Sequence, residues 1–153
     1  MSLRGRIRAA LLASLLGWIA GMAVATPFQI VEAVRNAGEG SRLLAYDLGV
    51  VLAMWSALTF AMAAYWCGFF LLPIVCLVSA GWILHHRKLW ITVSPLFGVV
   101  LMAVRLHVWT AFDHDGVSVI NFFMWAVFAG TFFVTTAVLC ANFLRTASSE
   151  IQR

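Results

Sequence analysis

Arg105 is the residue whose position most asks for a chemical explanation. It stands seven residues before Phe112 in an otherwise apolar stretch, about 10 Å along a helix. An unpaired charge at such a depth costs a few kcal/mol in lipid. Three answers are open: the guanidinium snorkels to the headgroups, pairs with a carboxylate, or lines a ligand or ion pathway. Asp47 is the first-choice carboxylate, with Asp113 and Asp115 as alternatives if their loop folds back. Asn121 belongs to the same level, and a side-chain amide in lipid seeks a partner. Asp47, Arg105, Asp115 and Asn121 therefore form a candidate external polar cluster, which Gln29 could join from the first helix.

Other reactive residue types do not assemble into a known chemistry. A bis-histidine haem site needs two imidazoles at one depth on different helices. His85 and His86 fall at the opposite end of the chain's helices from His107 and His114. Asp113-His114-Asp115 offers oxygen and nitrogen ligands, but three adjacent residues rarely converge on one ion. Cys67, Cys76 and Cys140 lie in apolar runs without a Cys-x-x-Cys spacing, as small packing residues do. Ser94, Ser118, Thr135 and Thr136 lack a histidine and an acid at matching depth, and such hydroxyls commonly bond the carbonyl one turn back. No cofactor and no catalytic residue is expected, and no family motif is legible.

A different signal comes from small residues. Ala9, Ala13, Gly17, Gly21 and Ala25 recur at every fourth position, so they share one helix face and let two backbones approach closely. Ala53, Ala57 and Ala61 repeat the pattern, and Ala126 and Gly130 echo it. The stripe serves either packing within the chain or docking of another subunit.

The elements that carry these residues are dictated by solvent. The chain is 63% hydrophobic and 10% charged, against averages of about 45–50% and 25% for soluble domains. That much apolar surface cannot be hidden in 153 residues, so the lipid bilayer is the expected surrounding. The formal charge of +4 comes from clusters at helix ends, and no basic face with stacking aromatics can form outside lipid. Nucleic acid is thus not an expected partner.

The charges sort by side. Four spans with the N-terminus inside place Arg4, Arg6, Arg8, Arg87, Lys88, Arg145 and Arg153 on one side, with Glu150 as the single acid. Glu32, Glu39, Asp47, Asp113 and Asp115 fall on the other side with Arg35 and Arg42. This asymmetry predicts cytoplasmic termini. The Arg- and Ala-rich composition associates with GC-rich bacterial genomes, hence an inner membrane. Arg4–Arg8 followed by an apolar run and Ala23-Val24-Ala25 imitates a secretory signal. The run continues past Pro27 to Val31, long enough to span, and is read as an uncleaved first helix.

The expected fold is all-α, a single polytopic membrane domain over 1–153. It is an integral four-helix bundle with helices at about 7–30, 44–84, 89–112 and 117–144. The apolar block Leu43–Leu84 has 42 residues, about 63 Å as a helix, twice the hydrocarbon thickness. Two spans with a turn near Trp66-Cys67-Gly68 would place His85–Lys88 outside and leave one helix short. One long helix, bent near Pro73 and protruding or lying at the interface over 43–54, is preferred. Functionally the sequence predicts a small non-enzymatic membrane subunit or accessory component that packs beside a membrane-protein partner or forms a homo-oligomer. A small oligomeric transporter or channel, or a ligand-binding protein using the external cluster, is the alternative.

Overall fold

The computed structural model describes residues 2–37, 44–112 and 119–150. Side chains are described for these except Glu32, 35–37, 44–47, Phe97, Val99, 101–103, 105–112, 119–121 and 147–150. Every regular element among the described residues is helical: α1 (Leu3–Ala37), α2 (Leu44–Trp66), α3 (Leu72–Leu77), α4 (Ala80–His85), α5 (Arg87–Phe112) and α6 (Val119–Glu150). A single π-helical turn, Cys67–Leu71, joins α2 to α3 without a break. Among the described residues three stretches are long and apolar enough to cross a membrane: Leu3–Val31, Leu48–Leu77 and Phe122–Thr146. The protein is thus a small all-α chain of membrane type.

Local chemistry explains the boundaries. Ser2 opens α1, its Oγ accepting from the Gly5 amide at 3.3 Å, which satisfies one donor that the first turn leaves free. The helix starts before the expected 7–30 because Arg4, Arg6 and Arg8, though polar, are good helix formers, and it runs on to Ala37 through Glu32, Ala33 and Arg35, which are good helix formers too. Pro27 is accommodated inside it.

The second apolar block departs from the expected 44–84 helix in a specific way. The chain stays helical through Trp66–Gly68, so no tight turn divides the block there. In the π-turn the Leu72 amide bonds the Cys67 carbonyl, five residues back. Pro73 then falls in the first turn of α3, where a missing N–H costs little. The irregularity expected at the proline is therefore displaced to the turn before it. The rod itself ends at Leu77, because Val78 and Ser79 adopt extended backbone angles. Ser79 caps α4, accepting from the Trp82 amide at 3.2 Å.

α1 and α6 form the centre and make the most extensive contact in the molecule. Ala13 meets Thr136, and Gly21 meets Phe128, so the two helices run antiparallel. α2 packs on α1, and α5 packs on α6. Near the chain ends, Ala9, Ala10 and Ala13 join Val75, Ile83, Cys140 and Leu144 in one buried cluster. At the far end Ala25, Trp55, Met124 and Phe128 form another. The start of α1 and the last turns of α6 consequently lie at one end of the molecule.

Candidate functional site

The small-residue stripe on α1 lies in this central contact. Ala9, Ala13, Gly17, Gly21 and Ala25 are all buried. A Cβ on Gly17 would run into Thr136 Oγ1 and stand 3.0 Å from the Phe132 carbonyl, and one on Gly21 would stand 2.9 Å from the Phe128 ring. Backbone proximity here brings the Thr136 hydroxyl within 3.4 Å of the Ala13 carbonyl. The face is filled by the chain's own α6.

The corresponding row on α2 points the other way. Gly49, Ala53, Ala57 and Ala61 are exposed, and a Cβ on Gly49 would meet nothing within 4 Å. The opposite face of α2 carries buried Trp55, Thr59, Met62 and Ala63. Thr59 organises that inner face: its hydroxyl bonds the Trp55 carbonyl at 2.9 Å and accepts from Trp18 Nε1 at 3.2 Å. Large side chains flank the outward row, with Met54 68% exposed. Ala126 and Gly130 on α6 are half-buried.

The external polar cluster falls outside the described residues. The helices containing Asp47, Arg105 and Asn121 are placed but those side chains are not, and Asp115 lies in 113–118. Gln29 is half-buried, its Oε1 enclosed without a hydrogen-bond partner.

At the opposite end, two arginines tie helices together. Arg6 Nη1 donates to the Val78 carbonyl at 3.0 Å, and Arg87 Nη2 donates to Asn142 Oδ1 at 3.1 Å. The first bond anchors the extended Val78–Ser79 link to α1. His86 stacks on Trp82 with ring centres 4.4 Å apart, and its Nδ1 lies 3.0 Å from the Trp82 carbonyl. Among the described residues no group of three His, Cys, Asp or Glu side chains could hold a metal ion.

A cavity of about 250 Å³ occupies the space between the π-turn and α5. Among the described residues α2 and the π-turn barely touch α5, and the gap between them is the cavity. Trp66, Cys67 and Phe70 form one wall, and Trp90, Val93 and Ser94 the facing one. Phe132, Phe133, Thr136 and Ala137 from α6 line it too, as do Ser14 from α1 and Leu71 and Ile74. The lining is almost wholly apolar, and Ser14 Oγ and Trp90 Nε1 are enclosed within the protein without hydrogen-bond partners. Ser94 is satisfied by the Trp90 carbonyl at 2.6 Å. None of these residues belongs to the clusters expected from sequence. The available signal was Gly68 and Pro73 bracketing an aromatic run, since π-turns occur often at functional sites. No protein-family model, curated protein or solved structure matches the chain.

Proposed function

We propose that this chain is a non-enzymatic integral membrane component with four spans, α5 being the fourth, and with both termini in the cytoplasm. It docks a transmembrane helix, from a second copy or from another membrane protein, on the outward face of α2. The observation that carries this reading is the row Gly49, Ala53, Ala57 and Ala61, exposed at every fourth position. The same device on α1 is closed by α6, which supports reading small residues in this chain as a means of bringing two helix backbones together. In lipid there is no hydrophobic drive between helices, so such close packing supplies much of the association energy. The charge asymmetry of the helix ends supports the orientation. The apolar walls of the cavity offer no path for a hydrated ion, which favours the docking role over a channel.

Ala57→Leu tests the reading. Ala57 is exposed, so a larger side chain there is expected to leave helix content and thermal unfolding unchanged. Association, followed by sedimentation equilibrium in mild detergent and by cross-linking of Ala57→Cys in native membranes, is expected to be lost in the leucine variant. A monomer at every concentration, together with no cross-linked adduct in membranes, would refute the reading.

A further inference from the structure

We infer that the cavity between the π-turn and α5 is a site for an anionic phospholipid, with one acyl chain in the cavity and the phosphate beside Arg87. The lining sets the occupant. It is almost wholly apolar, so what a ligand must bring is hydrocarbon surface, and a polar group placed there loses its water without return. An enclosed cavity of roughly 150 Å³ admits benzene. In proportion, about 250 Å³ has room for about ten carbons of a chain. A partner helix, about 10 Å across with its side chains, is too wide. The cavity is partly open, and Val93, which lines it, is 50% exposed. Leu89, Leu96, Val100 and Val104 on α5 are at least as exposed as Val93. A mouth set among such side chains faces hydrocarbon, so a chain enters without crossing water.

Charge beyond the end of the cavity selects the headgroup. Arg87 shares one face of α5 with Trp90 and Ser94, and both of these line the cavity. It stands three residues before Trp90, about 5 Å along the helix. On α6, Asn142 is five residues beyond the lining residue Ala137, about 8 Å along that helix. The 3.1 Å bond from Arg87 Nη2 to Asn142 Oδ1 therefore holds a guanidinium just past the cavity, where the phosphate falls when the chain of the same lipid lies inside. Arg4, Arg8, Lys88 and Arg145 at this end are exposed, and Glu150 is the single acid that the sequence places with them. Basic side chains beside the membrane surface attract anionic lipid. A zwitterionic headgroup brings its own cation and gains less.

The test uses the full chain in dodecyl maltoside and three probes: dioleoyl phosphatidylglycerol, dioleoyl phosphatidylcholine, and glycerophosphoglycerol, which is the first headgroup without its chains. Phosphatidylglycerol is expected to raise the unfolding temperature saturably, phosphatidylcholine to need a more than fivefold higher concentration, and the chainless anion to have no effect. Arg87→Gln should weaken the phosphatidylglycerol response about fivefold, the worth of one basic residue at an anionic surface, and leave phosphatidylcholine unchanged. A merely structural arginine would lower both equally. Ala137→Phe, which fills the space, should abolish the saturable response. Should that variant fail to fold, Val93→Trp at the half-exposed mouth takes its place. Equal action of the two lipids, no saturable response, an effect of the chainless anion, equal loss for both lipids in Arg87→Gln, or full phosphatidylglycerol affinity with the cavity filled overturns the inference. Loss of self-association in Ala57→Leu bears on the docking reading and leaves this one untouched.

Discussion

Gly17→Ala adds one methyl group at the closest point of the α1–α6 contact. The new Cβ would overlap Thr136 Oγ1 and stand 3.0 Å from the Phe132 carbonyl. The hydroxyl can rotate, but the carbonyl belongs to helix backbone and can only move with α6. Overpacking of this kind costs about 1–3 kcal/mol. Moving Thr136 also gives up its bond to Ala13, which at 3.4 Å is worth at most about 1 kcal/mol. Against this, replacing glycine by alanine in a helix gains about 1 kcal/mol. The expected net loss is up to about 3 kcal/mol. Gly130→Ala on α6 is the matched control, since a Cβ there meets nothing within 4 Å; it should gain up to about 1 kcal/mol. The helix-propensity gain is common to both, so the two variants should separate by about 1–4 kcal/mol in unfolding by dodecyl sulfate titration, followed by far-UV circular dichroism. Adding Thr136→Ala to Gly17→Ala should recover part of the loss, and only part, because the Phe132 carbonyl stays in place. If Gly17→Ala unfolds with Gly130→Ala at or beyond the wild-type midpoint, the close approach of the two backbones is not what holds them together.

Two further outcomes follow from the same packing. Thr59→Val keeps the shape of a fully buried side chain but strips Trp18 Nε1 of its acceptor, so the same titration should show a loss of about 1–3 kcal/mol, larger than for Ser56→Val at a half-buried position. Single cysteines at Gly38 and Asp115, in a background without Cys67, Cys76 and Cys140, should react with an impermeant maleimide added outside intact cells, and one at Lys88 should not. External labelling at Lys88 would sink the four-span reading and favour five spans.

Membrane character was legible in the sequence because it rests on summed apolarity, which does not depend on how helices meet. Three of the four expected apolar stretches were found for the same reason, although the helix ends were not: arginines continue a helix as readily as they mark its exit. The α1 stripe was identifiable from spacing alone, whereas spacing could not say which partner closes it. That depends on which face of α6 carries Phe128, Phe132 and Thr136 toward it. Pro73 signalled an irregularity and misplaced it, because a proline is tolerated in a first turn once the preceding turn has widened. The break at Val78 needed knowledge of Arg6, seventy-two positions away, whose guanidinium holds the extended carbonyl. The cavity was invisible because it arises from two elements that fail to meet, and a missing contact leaves no periodic trace.

The π-turn carries one more residue than an α-helical turn would, and a residue in an α-helix corresponds to about 100° of rotation. The halves of the rod on either side are therefore set to different phases: Leu44–Trp66 turns its small row outward, and Leu72–Leu77 turns Val75 into the core beside the chain ends. Deleting one residue from Cys67–Leu71 would leave the composition nearly unchanged yet swing one half against the other by about that angle. The chain must then choose between its core and its outward face. Length in this one segment is thus constrained more tightly than residue identity, so substitutions at exposed Gly68 and Phe69 should be tolerated where insertions and deletions are not.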